Sequence, residues 1–276
     1  MTRTIVKYCC LNCSFWLFVA LPLALAEEIV TLNTRAGVTQ SYFLANLPDK
    51  AQAIALLFPG SRGFIGLRQE DGQVKHDSDN FLVRSRDEFV KRGAVAAIIE
   101  AASDSQGASG MSDETRLSNE HTADIAAVIG DLAKRFPGLP AYLIGTSRGT
   151  VSAAAVGARN FTGISGVVLT ATVFRKTQPG RADKRISPGL SGFNFATIKV
   201  PLLFVHHVND RCYVTPYADT ARLADKYPVI SVYGGPTTES DPCAALTPHG
   251  FLGKESATIE QIVNWMLKKP IQTEVK

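Results

Sequence analysis

The sequence has no strong excess of charge of either sign. Its 276 residues include 29 lysines and arginines against 25 aspartates and glutamates, which gives a net charge of +4. Binding to nucleic acid depends on concentrated positive charge that neutralises phosphates. The charge balance therefore argues against nucleic acid as a partner. The hydrophobic content of 45% is instead typical of a chain that buries a substantial core.

Long apolar runs are also missing, apart from one at the N-terminus. Arg3 and Lys7 precede the segment SFWLFVALPLALA, which ends at Ala26 before two glutamates. A basic stretch, an apolar run and a small-residue site are typical of a secretory signal peptide. The run contains Pro22 and is shorter than the roughly 20 apolar residues that span a bilayer. We expect residues 1–26 to be removed during export, so that the protein is secreted or periplasmic without stable membrane insertion; a retained anchor is the alternative.

Cysteine is scarce once this segment is set aside. Three of the five cysteines lie within residues 1–26, so the exported chain keeps Cys212 and Cys243. Two cysteines in an oxidising compartment are expected to pair, and two buried free thiols are the alternative. The bridge would close a loop of about 30 residues and contribute about 3 kcal/mol of stability by chain entropy. The exported chain has a net charge of +2, because the signal carries two basic residues and no acidic one.

The rest of the chain has no internal repeat and no shift in composition that would divide it, so residues 27–276 are predicted to form a single domain. Short apolar runs bounded by turn residues recur along it, and such runs suit strands that are covered on both faces. The predicted strands are Ile54–Phe58, Ala94–Ile99, Ala141–Ile144, Val167–Leu169, Leu202–Val205 and Val229–Val232.

Helical patterns separate several of these strands. Apolar residues recur at steps of three and four over residues 125–136 and again near the C-terminus, where they predict a helix over residues 255–268. A further helix is predicted over residues 81–92, with Asn80 or Asp79 as its N-terminal cap. Strands that alternate with helices indicate a mostly parallel sheet with helices on both faces.

The first 20 residues after the signal follow a different pattern. The segment EEIVTLNTRAGVTQSYFLAN alternates weakly between apolar and polar residues about a turn at Ala36 and Gly37. This pattern predicts an antiparallel hairpin at the edge of the sheet. In a sheet of this kind, the loops at the carboxyl ends of the strands build the functional site.

The pentapeptide GTSRG, residues 145–149, is the motif that points to chemistry. Alone it is a weak signal, but Ser147 lies between a predicted strand, AYLIG, and a predicted helix, TVSAAAVGA. A serine on a tight strand-to-helix turn forms a nucleophile elbow, in which the flanking glycines let the two backbones approach closely. The helix N-terminus also favours negative charge that develops beside it. Ser147 is therefore the candidate nucleophile.

A serine nucleophile requires a base and an orienting carboxylate. Among the five histidines, His249 in PHGF follows the last predicted strand and precedes the last helix, where a loop can fold back over the sheet. Asp210 lies in the loop just past the strand that ends at Val205. The order Ser147, Asp210, His249 is the order of nucleophile, acid and base in one large class of hydrolases. These three residues are predicted to be catalytic.

Stabilisation of an oxyanion requires two backbone donors aimed at one point. The N–H of Arg148, directly after the nucleophile, is one candidate. The second is expected from the loop after the first long parallel strand, where FPGSRGF places Ser61, with Arg62 as the neighbouring option. An ordinary glycine-proline turn is the alternative interpretation of this loop.

Together these segments resemble the serine hydrolases of the α/β-hydrolase superfamily. FPGSRGF stands at the oxyanion loop, GTSRG at the elbow, NDRC at the acid loop and PHGF at the histidine loop, and the resemblance covers residues 51–268. The chain is similar to the secreted dienelactone-hydrolase-like branch, although that enzyme has a cysteine nucleophile where this sequence has Ser147. The resemblance implies an α/β-hydrolase fold without a large lid, a small-molecule or acyl ester substrate, an acyl-enzyme intermediate and no cofactor.

Other functions remain compatible with the same residues. The predicted triad could also transfer an acyl group to an alcohol or cleave a peptide bond, and a hydrolase fold can serve as a binding protein without catalysis. His206 and His207 could be taken as metal ligands, but neighbouring residues of a strand point to opposite faces and no further ligands complete a set. A packed strand end is the preferred interpretation of the two histidines, and no metal is expected.

Two basic features have two interpretations each. The side chain of Arg148 could contact a substrate carboxylate or form an ion pair on the surface. The segment between the predicted strands at 167–169 and 202–205 is too short for a large helical cap and carries a basic cluster, which either is a solvated loop or attracts anionic substrates. The cluster consists of Arg175, Lys176, Arg181, Lys184 and Arg185.

Overall fold

The computed structural model describes residues 27–177 and 187–276, so the predicted signal segment lies outside the described residues. The strands are β1 (Glu28–Arg35), β2 (Val38–Leu44), β3 (Ala53–Phe58), β4 (Arg68–Glu70), β5 (Gln73–Lys75), β6 (Ala94–Ile99), β7 (Ala141–Thr146), β8 (Ile164–Thr170), β9 (Leu202–His207), β10 (Val229–Val232) and β11 (Glu274–Val275). The helices are α1 (Phe81–Arg84), α2 (Arg86–Lys91), α3 (Asp113–Leu117), α4 (Asn119–Arg135), α5 (Gly149–Gly157), α6 (Tyr217–Ala221) and α7 (Glu255–Met266).

Nine strands form one sheet in the order β1-β2-β6-β3-β7-β8-β9-β10-β11. Pairing is parallel from β6 through β11, whereas β1 pairs antiparallel with β2, and β2 antiparallel with β6. The predicted mostly parallel sheet and its antiparallel edge hairpin are both confirmed.

Successive side chains along the strands point to opposite faces of the sheet and form two hydrophobic cores, one on each face. Along β3, Ala55 and Leu57 join one core, and Leu56 and Phe58 join the other. The first core is covered by α1, α2 and α7, and the second by α4 and α5. Burial on both faces explains why these strands read as continuous apolar runs in the sequence.

Several elements differ from the sequence-based expectation. The helix predicted over residues 81–92 is divided at Ser85 into α1 and α2, although Asn80 caps it as predicted by accepting the Leu82 N–H at 3.1 Å. The small β4–β5 hairpin forms a separate sheet, and β11 extends the main sheet beside β10. Strands of two or three residues carry too little alternation to be recognised in a sequence.

The loops that follow β3, β6, β7, β8 and β9 meet at the carboxyl edge of the sheet. The oxyanion loop (residues 59–67) follows β3, the acid loop (residues 208–216) follows β9, and the histidine loop (residues 233–254) follows β10. None of the helices in the described ranges is long and apolar enough to cross a bilayer.

Candidate active site

Ser147 lies at the sharp turn between β7 and α5. Its φ angle is 51°, in the left-handed region that costs a non-glycine residue energy. Hydrogen bonds hold this conformation: the Ser147 N–H donates to Thr170 O at 3.0 Å, and the Thr150 N–H and hydroxyl both donate to Ser147 O. The turn thus fixes the Ser147 side chain at the edge of the sheet, as a nucleophile elbow requires.

Two glycines allow neighbouring backbones to approach this turn. A Cβ atom at Gly149 would overlap the carbonyl oxygen of Phe58, because α5 packs directly against the end of β3. A Cβ atom at Gly60 would lie 2.8 Å from the Ser147 Cβ, a distance that real Cβ atoms essentially never show. Gly60 therefore brings the oxyanion loop into contact with the candidate nucleophile.

Asp210 and His249 meet beside this edge although 39 residues separate them. The His249 Nδ1 donates to the Asp210 Oδ2 at 2.9 Å, and both side chains are almost wholly buried. The backbone of His249 is held locally as well, because its N–H donates to the Thr247 hydroxyl at 3.1 Å. A neutral histidine that donates from Nδ1 keeps its Nε2 as the basic nitrogen, which suits a general base.

Four donors surround the Asp210 carboxylate. Besides His249, the Thr215 hydroxyl at 2.9 Å and the His206 Nε2 at 3.1 Å reach Oδ2, and the Cys212 N–H reaches Oδ1 at 2.8 Å. Burial raises the pKa of Asp210, but the attraction of His249 and the hydrogen bonds from His206 and His249 outweigh it. The pKa of this carboxyl is therefore held well below its ordinary value, and Asp210 is ionised at neutral pH.

A disulfide joins the acid loop to the histidine loop. Cys212 and Cys243 are bonded, with their Cα atoms 4.6 Å apart, so the predicted pairing is confirmed. Cys212 is two residues past Asp210, and Cys243 is six residues before His249. The bridge therefore links the two loops that supply the candidate acid and base.

Two buried charged side chains hold the oxyanion loop in place. The Arg116 guanidinium donates to Ser61 O at 3.2 Å and to the Ser152 hydroxyl at 3.0 Å, which connects the loop to α5. Burial lowers the pKa of Arg116 to about 10. On the other side, the Glu100 carboxylate accepts the N–H groups of Ile65 and Leu67. Ser61, with a φ of 51°, is thereby fixed above the end of β3.

Several of the predicted site residues line one cavity of about 280 Å³. Ser147 and His249 border it, together with Ser61 and Arg62 of the oxyanion loop. The remaining wall comes from residues 77–81 and from residues 243–245 beside the disulfide. The structure thus brings Ser147, His249 and the oxyanion loop to one cavity, and Asp210 is hydrogen-bonded to His249 without lining the cavity itself.

The structure describes the side chain of Arg148 but only part of the basic cluster. The Arg148 guanidinium contacts the buried Asp113 at 3.2 Å and the Ser187 hydroxyl at 2.6 Å, so it takes part in an ion pair of the protein. In the basic cluster, Arg175 pairs with Asp219 at 2.8 Å. Arg181, Lys184 and Arg185 lie outside the described residues.

Sequence reasoning missed the part that His206 takes in the site. Both His206 and His207 are buried, in agreement with a packed strand end, but they face different neighbours. His207 bonds to Gly234 O, whereas His206 contacts Asp210 four residues further along the chain. Within the described ranges, no group of three histidine, cysteine, aspartate or glutamate side chains is arranged to hold a metal ion.

The sequence has been compared with family models and with curated proteins. The model of the family described as "Serine aminopeptidase, S33" matches residues 97–194, a stretch that includes the elbow but ends before Asp210 and His249. No curated protein sequence matches the chain at a significant level.

Several solved structures share the fold at low sequence identity. Est1E from Butyrivibrio proteoclasticus superposes with a TM-score of 0.58 at 13% identity, over 87% of this chain and 98% of that one. A thermostable carboxyl esterase from Bacillus coagulans gives a TM-score of 0.53 at 15% identity, over 88% and 98%. A predicted CIB-like hydrolase from Thermoplasma acidophilum gives 0.55 at 13%, over 88% and 99%.

The superpositions show which fold this chain has. They cover 87–88% of the chain and 98% of Est1E and of the carboxyl esterase. The chain has the α/β-hydrolase fold, and residues 97–194 are similar in sequence to the serine aminopeptidase family.

Proposed function

We propose that this protein hydrolyses carboxylic esters through a Ser147–His249–Asp210 triad. The observation that carries the proposal is the shared cavity: Ser147 on its strained elbow and His249, hydrogen-bonded to the ionised Asp210, border the same space. The structural neighbours support the choice of ester, since they include Est1E with bound ferulic acid and a carboxyl esterase in complex with glycerol.

In the proposed reaction, the Ser147 Oγ attacks the carbonyl carbon of the ester and its proton passes to the His249 Nε2. Asp210 stabilises the imidazolium that forms, and the N–H groups of Ser61 and Arg148 donate to the tetrahedral oxyanion. The C–O bond to the alcohol breaks as His249 returns the proton to the leaving oxygen. Water then attacks the acyl-enzyme by the same route, which releases the acid and frees Ser147.

Replacement of Ser147 by alanine tests the mechanism. Hydrolysis of a panel of p-nitrophenyl esters of graded chain length should fall on the order of 10⁴-fold in Ser147→Ala, while circular dichroism and the unfolding midpoint stay near those of the parent. A fluorophosphonate should label the parent at Ser147 and leave the variant unlabelled. Ser191→Ala, at an exposed serine that does not line the cavity, is the matched control. Parent-level turnover by Ser147→Ala would refute the proposed nucleophile.

Cleavage of peptides is a second candidate function. The matching family is described as a serine aminopeptidase. Asp79 and Asp77, whose carboxylate also pairs with Arg68, border the cavity, and acidic side chains there would favour a peptide amino terminus. Aminoacyl p-nitroanilides compared with p-nitrophenyl esters separate the two functions. Preferred cleavage of the anilides would make the protein a peptidase, and product transfer to an added alcohol would make it an acyltransferase.

We further propose that the protein acts outside the cytoplasm, in the periplasm or as a secreted enzyme. The basic and apolar N-terminal segment and the Cys212–Cys243 bridge support export, because disulfides persist in oxidising compartments. Mass spectrometry of the protein from a cell fractionation tests this. A chain that begins at Glu27 in the exported fraction is expected, and a full-length chain in the membrane fraction would indicate a retained anchor.

A further inference from the structure

A second histidine shares the oxygen of Asp210 that receives His249. His206 lies near the end of β9 with its side chain fully buried, and its Nε2 is 3.1 Å from the Asp210 Oδ2. The His249 Nδ1 is 2.9 Å from the same atom. One carboxylate oxygen therefore lies between two imidazole rings, only one of which belongs to the proposed triad.

The surroundings of His206 define which of its nitrogens carries the proton. An ionised carboxylate only accepts hydrogen bonds, so the Nε2 must donate to Asp210. The Nδ1 lies 2.5 Å from the hydroxyl of Thr220 in α6, which is itself fully buried. In a neutral ring, Nδ1 is the acceptor of that hydroxyl proton. Thr220 thus selects the tautomer that donates to Asp210.

We propose that His206 is a positioning residue for the reaction, held by Thr220 as the Nε2–H tautomer so that it fixes the Asp210 carboxylate and disperses part of its negative charge. This inference rests on the proposed function, because it assigns to His206 an effect on the base His249 that is transmitted through Asp210. Within the described part of the chain, His206 is not one of the residues that line the cavity.

The physical consequence concerns how strongly Asp210 attracts the proton of His249. A hydrogen bond from His206 withdraws charge from Oδ2, so its removal leaves more charge to stabilise a protonated His249. His249 would then remain protonated to a higher pH and be inactive as a base over a wider range. The Thr215 hydroxyl and the Cys212 N–H would still hold the carboxylate, so the loop need not collapse.

Other groups near His206 are accounted for. The ring of Tyr217 in α6 packs edge-on at 6.0 Å, and its hydroxyl bonds to Ser231 of β10. Asp219, also in α6, is paired with Arg175 and Arg222. Asp210 is therefore the charged group that bonds directly to the His206 ring.

Two substitutions at position 206 provide the kinetic test. His206→Leu removes the donor, and His206→Gln keeps an N–H near the position of Nε2. We expect the acid limb of the pH profile of kcat/KM to move up by about one pH unit in His206→Leu, with a plateau about tenfold lower, the effect of losing one hydrogen bond to a charged group. His206→Gln should restore most of both quantities. His207→Gln, at the adjacent buried histidine that bonds to Gly234 O, is the control and should leave the acid limb unchanged.

The tautomer of His206 can be measured by NMR spectroscopy, and this test does not depend on catalytic activity. In the ¹⁵N-histidine-labelled parent, His206 should show a protonated Nε2 and an unprotonated Nδ1, and Thr220→Val should weaken this preference and move the acid limb in the same direction as His206→Leu. An Nδ1–H tautomer for His206 in the parent would overturn the proposal, as would parent-like acid limbs in both His206→Leu and Thr220→Val. If the parent hydrolyses no ester, the proposed function fails, whereas the tautomer of His206 still decides this inference.

Discussion

His121 is a buried base with no hydrogen-bond partner for either ring nitrogen among the described residues. It lies in the first turn of α4 and packs edge-on against Phe58. Burial, and then the nearby charge of Arg116, lower its pKa to about 3. The ring is therefore neutral in the folded protein at all but strongly acidic pH, whereas in the unfolded chain it becomes protonated below a pH of about 6.5.

This difference predicts an acid-sensitive stability. Between a pH of about 6.5 and 3 the unfolded chain binds a proton at His121 that the folded protein does not, so stability falls as the pH falls. From pH 6.5 to pH 5, the loss from this residue is about 2 kcal/mol. Urea unfolding at several pH values should show a shallower decline in His121→Leu than in the parent. Equal slopes for the two proteins would mean that His121 is not the buried base described here.

At the scale of secondary-structure elements, the elbow depends on how closely α5 approaches β3. Gly149→Ala should lower the free energy of unfolding by about 2–4 kcal/mol, because the added methyl group overlaps the Phe58 carbonyl and must displace α5. Ester hydrolysis should fall as well, since Ser147 sits at the start of that helix. Urea denaturation and a p-nitrophenyl ester assay measure the two effects.

The chain offers a matched control for this substitution. Gly130 lies exposed in the interior of α4 with nothing within 4 Å of an added Cβ. Gly130→Ala should stabilise the protein by about 0.5–1 kcal/mol through helix propensity alone. If both alanine variants change stability in the same direction and by similar amounts, steric overlap at Gly149 is not the cause.

The strands best predicted from the sequence are those whose whole length is an uninterrupted buried apolar run. Strands such as β3 and β6 are six residues long and buried throughout, and their apolar runs predicted them to within one residue. The break between α1 and α2 was missed because Ser85 does not interrupt the helical spacing of apolar side chains. β11 has only two residues near a charged terminus, and it forms because β10 offers a free edge.

At the scale of the whole molecule, the disulfide joins loops that are distant in the sequence. Its removal in the double variant Cys212→Ser/Cys243→Ser should destabilise the protein by about 3 kcal/mol, by the loop-closure entropy of the unfolded chain. The acid and histidine loops also lose their direct link, so ester hydrolysis should decline at temperatures below those of unfolding. Activity and circular dichroism followed together during heating, with and without reductant, measure this order of events. A double variant as active as the parent would contradict the predicted loss of activity before unfolding.

The candidate site was predictable where the chemistry has a sequence signature. Ser147, Asp210 and His249 could be chosen from residue type, order and position after strands, and the structure gathers them at one edge. The roles of His206 and Arg116 could not be found in this way. His206 contacts Asp210 and Thr220, and Arg116 contacts Ser61 O and the Ser152 hydroxyl. Such contacts depend on how loops fold over the sheet rather than on periodicity.

The order of strands in the sheet also bears on when the site can form during biosynthesis. The oxyanion loop follows β3, early in the chain, whereas the candidate base lies in the histidine loop between β10 and α7. A nascent chain that has not yet reached residue 249 carries the elbow but no base. On the proposed mechanism, Ser147 can be activated only after the histidine loop has been synthesised, and a chain exported in the unfolded state would acquire its reactive centre only after translocation.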